Sequence, residues 1–186
     1  MSVYLMRHGI TPLNQQKRVN GEVDEPLAPE GIEQAKEAVL QIPKSVNVVY
    51  SSPLLRAKQT AQIFGMALNL PVVFAQELTE VKMGSLAGKS WEEMENGQEL
   101  KVKHRAFKFD YRPYGGESVE DVKKRVLGFL KKINTAYEDN QVLIITHGGI
   151  IRFFYLHQHG QIPYETEKHI SPLSFDLNKI LRSSQG

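Results

Sequence analysis

The chain has 186 residues, 41% hydrophobic and 24% charged, which is enough to bury a sizeable core without disulfides or a structural metal. Its 23 basic and 21 acidic residues leave a net charge of +2, too balanced to direct it to nucleic acid or a membrane surface. It has no cysteine, which excludes thiolate metal sites and a cysteine nucleophile as well as disulfides.

Residues 3–6 are a short apolar run, read as a buried strand, which Arg7-His8-Gly9 interrupts before it resembles a secretory signal. No stretch approaches the roughly 18 apolar residues of a membrane helix, so the expected location is cytoplasmic. Residues 9 to 29 read as a polar loop, broken by Pro12, Gly21 and Pro26. Pro29 suits the first turn of a helix reaching residue 42, with Ile32, Ala35, Val39 and Ile42 as its apolar stripe. Residues 46–50 are a second buried strand. Ser52 then reads as a helix cap, with Pro53 in the first turn of a helix ending near residue 68.

Residues 71–74 form a short third strand. Residues 77–116 are irregular, with a weak helical signal over 90–104. Val122, Val126, Phe129, Leu130 and Ile133 mark a long amphipathic helix over 118–137. Residues 142–146 are a strong strand, 148–159 a helix and 174–177 a last strand. This alternation predicts a three-layer α/β/α sandwich around a mostly parallel sheet. With no repeat or linker, one domain over 1–186 is expected.

In open α/β sheets, ligands bind outside the carboxyl ends of the strands. Three polar groups fall there: Arg7-His8-Gly9, Ser51-Ser52 with Arg56 one turn on, and His147-Gly148-Gly149. A guanidinium grips phosphate oxygens in a two-pronged fork and stays charged. A neutral imidazole can attack phosphorus and hold it covalently. A lone histidine at a strand end is commonly structural, and a lone arginine in a first helical turn is commonly solvated. Their joint occurrence at three strand ends points to phosphoryl chemistry.

The order of motifs resembles the histidine phosphatase superfamily, also called phosphoglycerate mutase-like. The resemblance runs through Leu5-Met6-Arg7-His8-Gly9 with Thr11 and Asn14, then Gly21, Asp24, Pro26-Leu27, Pro29, Gly31 and Gln34-Ala35. It continues through Ser51-Ser52-Pro53-Leu54 with Arg56-Ala57 and Gln59-Thr60-Ala61, Leu78-Thr79-Glu80 with Gly84 and Gly88, Gly115-Gly116-Glu117-Ser118, and Thr146-His147-Gly148-Gly149. It implies a phosphoglycerate mutase-like fold and makes His8 the nucleophile that becomes phosphohistidine. Arg7, Arg56 and His147 would form the phosphate pocket, with Asn14 and the Gly148 N–H as neutral donors. Glu80 would protonate the leaving alcohol and later activate water. A bound phosphate dianion favours a protonated carboxyl, so that role is expected in the substrate complex. The implied substrate is a small phosphorylated metabolite, with no metal and no cofactor.

Among other residues, Glu77 reads as surface, Ser118 as a helix cap and Arg18 as a solvated charge. Glu117 is open as a partner of the site. Trp91 reads as an anchor of the 77–116 segment. His157 and His159, two apart, do not share a helix face and have no ligand cluster around them. His104 and His169 have no motif around them. Mutases of the family resemble the chain but carry a longer, more basic insertion after the acid block. Here that segment is compact, with no basic cluster beyond Lys101, Lys103 and Arg105. Short phosphohistidine-protein phosphatases lack the acid block that Leu78-Thr79-Glu80 resembles. Small phosphatases fit best, a group that includes α-ribazole-phosphate phosphatase, metal-independent phosphoserine phosphatase and broad-specificity enzymes. A phosphoglycerate mutase-type phosphotransferase and a non-catalytic phospho-ligand-binding regulator are the alternatives.

Overall fold

The computed structural model describes residues 2–136, 141–163 and 170–184. Five strands, β1 (Ser2–Arg7), β2 (Val46–Ser51), β3 (Val72–Phe74), β4 (Gln141–Thr146) and β5 (Leu173–Asp176), form one sheet in the order β3-β2-β4-β1-β5. All neighbours are parallel except β1 with β5. The helices are α1 (Pro12–Gln15), α2 (Pro29–Ala38), α3 (Leu55–Leu68), α4 (Gly97–Arg105), α5 (Val119–Ala136), α6 (Gly148–His159) and α7 (Leu177–Ser183).

The unbroken apolar run of β4 signals burial on both faces. Val142 and Ile144 join a core with Val122, Val126 and Leu130 of α5 and Phe154 of α6. Leu143 and Ile145, one residue out of phase, join a separate core with Ala57, Ala61 and Phe64 of α3 and Ala35 of α2. The alternation of a pleated strand thus divides one apolar run between two layers of helices. This is the expected α/β/α sandwich with a mostly parallel sheet.

The register places the chemistry. Arg7 lies opposite Thr146 on β1 and β4, and Ser51 lies opposite Ile145 on β2 and β4. The three strands therefore end nearly flush, and the ladder runs one bond further on each side. His8 N–H donates to the Thr146 carbonyl at 3.0 Å and Ser52 N–H to the Ile145 carbonyl at 3.0 Å. Gly9 and Gly31 allow the loop after β1 to cross α2 at contact distance. A Cβ on Gly9 would sit 2.4 Å from the Gly31 carbonyl oxygen, and one on Gly31 would sit 2.2 Å from that of Ile10.

Several local expectations change. Thr11 and Asn14 form a capping box with Pro12 in the first turn, so the expected loop opens with a helical turn, α1. Ser52 does not cap α3, whose first residue is Leu55; the cap comes from across the chain, where Asp24 Oδ1 accepts Leu55 N–H at 2.5 Å. The weak signal over 90–104 resolves into a 3-10 turn, Trp91–Glu93, and then α4. Leu177, read as the end of the last strand, instead starts α7, because Asp176 accepts Asn178 N–H at 2.9 Å as its cap. His169 and Tyr137 lie outside the described residues.

Candidate active site

His8, on leaving β1, is 1% exposed. Its Nδ1 lies 2.7 Å from the Gly9 carbonyl oxygen, and its Nε2 lies 3.2 Å from Arg56 Nε–H. A carbonyl only accepts and a guanidinium only donates. The ring therefore carries its hydrogen on Nδ1 and turns the Nε2 lone pair toward Arg56.

Arg56, on the first turn of α3, is completely buried. Its other nitrogens donate to main-chain carbonyls of the loop before α2, Nη1 to Val23 at 2.6 Å and Nη2 to Gly21 at 2.9 Å. Burial pushes its pKa down to about 10, which leaves it charged at neutral pH.

His147, at the end of β4, stands with its ring 5.1 Å from that of His8. Its Nε2 lies 2.8 Å from Ser52 Oγ, which is the task Ser52 performs instead of capping. Its Nδ1 is buried with no hydrogen-bond partner among the described residues. Burial, reinforced by Arg56 and His8, holds its pKa well below the usual histidine range. Arg7 flanks the start of α6: a Cβ on Gly148 would lie 3.7 Å from Arg7 Cζ.

Glu80 approaches from the segment after β3. Its Oε1 accepts Val81 N–H at 2.9 Å and Gly149 N–H at 3.1 Å, so the carboxylate rests on the first turn of α6. Gly149 permits this, since a Cβ there would be 2.5 Å from Oε1. Arg125 of α5 holds this segment from behind. It donates to the carbonyls of Glu77 at 2.6 Å, Thr79 at 2.9 Å and Glu80 at 3.3 Å, and pairs with Glu117 at 2.9 Å. Glu117 in turn accepts Lys82 N–H at 3.0 Å. Glu117 is thus part of the clamp behind Glu80.

A cavity of about 350 Å³ opens over these groups, lined by Arg7, Asn14, Glu80 and Gly148 among others. His8, Arg56 and His147 are buried and are not among its lining residues, although their chain neighbours Arg7 and Gly148 are. Asn14 lines the cavity, but its amide nitrogen donates to Asn20 Oδ1 at 2.5 Å. Ser118 exchanges hydrogen bonds with Asp121 as the cap of α5. Glu77 pairs with Lys132 on the surface. Arg18 donates to the Gly88 carbonyl at 2.8 Å, pairs with Glu93 and lines the cavity, so it is more than a solvated charge. Trp91 packs against the core and also lines the cavity.

Sequence patterns assigned no role to Arg152 and Arg125, and His104 was set aside for want of a motif around it. Arg152 follows Gly148 by four residues, a helical spacing that puts both on one face and was available as a signal. Arg125 and His104 have no such signal. Among the described residues no three histidine or carboxylate side chains gather as a metal site, and no helix is long and apolar enough to cross a membrane.

The arrangement provides a nucleophilic imidazole nitrogen, two guanidinium groups, a second histidine and a carboxyl group around one strand-end crevice. That is a complete set for moving a phosphoryl group. The uncharacterized phosphatase PhoE of Bacillus subtilis (strain 168) is 34% identical over 152 residues, covering 81% of this chain and 73% of its own. The metal-independent phosphoserine phosphatase of Arabidopsis thaliana is 32% identical, covering 83% and 67%. The crystal structure of a phosphoglycerate mutase from Thermus thermophilus superposes with a TM-score of 0.77 at 30% identity, covering 95% and 93%. The family model of the histidine phosphatase superfamily (branch 1) matches residues 3–181, and the chain belongs to that superfamily.

Proposed function

We propose that the protein is a phosphatase that hydrolyses small-molecule phosphate monoesters through a phosphohistidine on His8. The observation that carries this reading is the state of the His8 ring. Its Nδ1 hydrogen is engaged by Gly9, and Nε2 turns its lone pair toward the Arg56 guanidinium. In the first step Nε2 bonds to phosphorus, the bond from phosphorus to the ester oxygen breaks, and Glu80 gives the departing alkoxide a proton. In the second step water attacks the phosphohistidine, Glu80 takes its proton, and the P–N bond breaks to release phosphate. Arg56 first has to release Nε2, and phosphoryl oxygens compete for that guanidinium with charge-assisted bonds. The buried Nδ1 of His147 is a polar atom that a phosphoryl oxygen would satisfy.

The positive charge that stabilises the transition state then comes from side chains, so turnover is expected to persist in EDTA. Likeness to a phosphoglycerate mutase supports a second reading, in which a substrate hydroxyl replaces water as the final acceptor. Turnover of p-nitrophenyl phosphate in EDTA, with an acid-labile phosphoenzyme on rapid quench, tests the first. Loss of both in His8→Ala is the expected result. Survival of either in that variant overturns the reading. Transfer between phosphoglycerates with little phosphate release favours the second.

A further inference from the structure

The two nitrogens of the His147 ring are held differently. Nε2 lies 2.8 Å from Ser52 Oγ, and Nδ1 is buried with no hydrogen-bond partner among the described residues. Neither nitrogen is bonded to a carboxylate, so the ring lacks the partner that stabilises an imidazolium in a Ser-His-Asp triad. Burial, with the charges of Arg56 and His8 beside it, also favours the neutral ring. A neutral imidazole has one hydrogen to place, and the hydrogen bond made by one nitrogen decides what the other presents.

The Ser52 hydroxyl makes that decision. Ser52 is completely buried. Its main chain is fixed on both sides, with N–H donating to the Ile145 carbonyl at 3.0 Å and the carbonyl accepting from the Ser51 hydroxyl at 2.9 Å. Pro53 has no N–H, so the first main-chain donor able to turn back to Oγ is Leu54, which reaches it at 3.3 Å. Oγ thus accepts from its own chain, and among the described residues the one acceptor for its hydrogen is His147 Nε2. With the ring hydrogen on Nδ1, Ser52 donates to Nε2 and both groups are satisfied. With it on Nε2, the ring donates to Oγ and a buried hydroxyl hydrogen is left without an acceptor, which is costly. That second arrangement would also present a lone pair at Nδ1, which repels phosphoryl oxygens.

We propose that Ser52 is a positioning residue that fixes His147 as a neutral ring with its hydrogen on Nδ1, where it donates to a phosphoryl oxygen. The proposal rests on the phosphatase reading for what arrives at Nδ1, and not for the state of the ring. His8 carries its hydrogen on Nδ1 too, held by the Gly9 carbonyl. The two histidines, with rings 5.1 Å apart, therefore share a tautomer and use it in opposite ways. In His8 the bare Nε2 does the chemistry. In His147 the bare Nε2 is covered by Ser52 and the N–H is offered instead. Protonating His147 would force the Ser52 hydroxyl to give up its acceptor, so the ring stays neutral when phosphate binds and the guanidinium groups supply the charge.

Imidazole ¹⁵N NMR of the whole protein tests the ring directly, with His147→Asn identifying its signals by their loss. At neutral pH the His147 Nδ1 should be protonated and Nε2 bare. Inorganic phosphate should shift the Nδ1 signal and leave Nε2 bare. A hydrogen on Nε2, or an imidazolium with or without phosphate, overturns the proposal. These spectra need no turnover, so a protein that binds phosphate and hydrolyses no ester defeats the phosphatase reading alone. Ser52→Ala should mix the two tautomers and lower both phosphate affinity and kcat/KM by on the order of tenfold, the worth of one neutral hydrogen bond. Ser52→Thr, which keeps the hydroxyl, should recover most of both. Losses in the two variants with wild-type ring signals would assign Ser52 to packing and overturn the proposal. If Ser52→Ala does not fold, the wild-type spectra decide.

Discussion

Replacing Arg125 with methionine would show whether the Glu80 segment is held from behind. The side chain keeps most of its aliphatic bulk but loses the ion pair with Glu117 and the hydrogen bonds to the carbonyls of Glu77, Thr79 and Glu80. Both ion-pair partners are well shielded, at 16% and 14% exposure. Removing one partner of a buried pair costs roughly 3–5 kcal/mol. Glu117 would keep the Lys82 N–H and some contact with water, which favours the lower end, about 3 kcal/mol. At roughly 2–4 °C per kcal/mol for a chain of this size, the melting temperature should fall by about 6–12 °C. Arg125→Met/Glu117→Gln should recover part of that loss, because no carboxylate is left without its partner.

Stability alone does not distinguish positioning from packing, so the deciding assay is leaving-group dependence. If Arg125 positions Glu80, alkyl phosphates lose on the order of 100-fold in kcat/KM. p-Nitrophenyl phosphate, whose leaving group needs little protonation, loses much less. Equal losses for both substrates, or none for either, would refute the positioning role even if the protein melts early.

Gly149→Ala should push the Glu80 carboxylate off α6, since the added Cβ meets Oε1 at 2.5 Å and Val81 Cγ2 at 2.7 Å. A melting temperature several degrees lower is expected, whereas Gly148→Ala, which makes only ordinary contacts, should melt within roughly 2 °C of the parent; equal melting of the two would contradict the packing. Asp24→Ala removes the cap of α3 and should cost about 1 kcal/mol in urea unfolding, and no change would mean that water replaces the cap. His104 and His147 both have pKa values well below the usual histidine range, mainly through burial. The unfolded chain takes up protons near pH 6.5 that the folded protein does not, so stability is complete above that pH and declines as the pH falls below it. Each histidine contributes up to about 1.4 kcal/mol per pH unit in that window. Chemical denaturation at pH 7.5, 6.0 and 5.0 should show the decline, with a shallower slope in His104→Gln; an unaltered slope would mean that His104 takes up its proton as readily in the fold as in the unfolded chain.

The sheet was legible because its strands are apolar runs that finish in polar residues, as β4 does at Thr146 and β1 at Arg7. The gathering of His8 and His147 followed from parallel strands sharing one carboxyl end. Errors arose where a polar side chain had two possible partners. Ser52 before Pro53 has the pattern of a helix cap, yet the buried His147 holds its hydroxyl and Asp24 caps the helix from 31 residues away. Such competition depends on contacts distant in sequence. Arg152 was recoverable from its spacing to Gly148, whereas Arg125 and His104 act on groups 45 and 48 residues away and leave no local pattern. The basic residues of α4 looked sparse because the cavity draws its other cations from the turn after α1 and from α6.

The strand order has a consequence for synthesis. β1 pairs only with β4 and β5, both from the last third of the chain, and never with β2. While the ribosome is still making residues 8–140, the apolar β1 has neither neighbour, and His8 lacks the Thr146 carbonyl that fixes its main chain. A nascent chain of that length exposes a strand with two open edges, the kind of surface that chaperones protect. The crevice at the strand ends therefore forms only once β4 has been made and lies between β1 and β2.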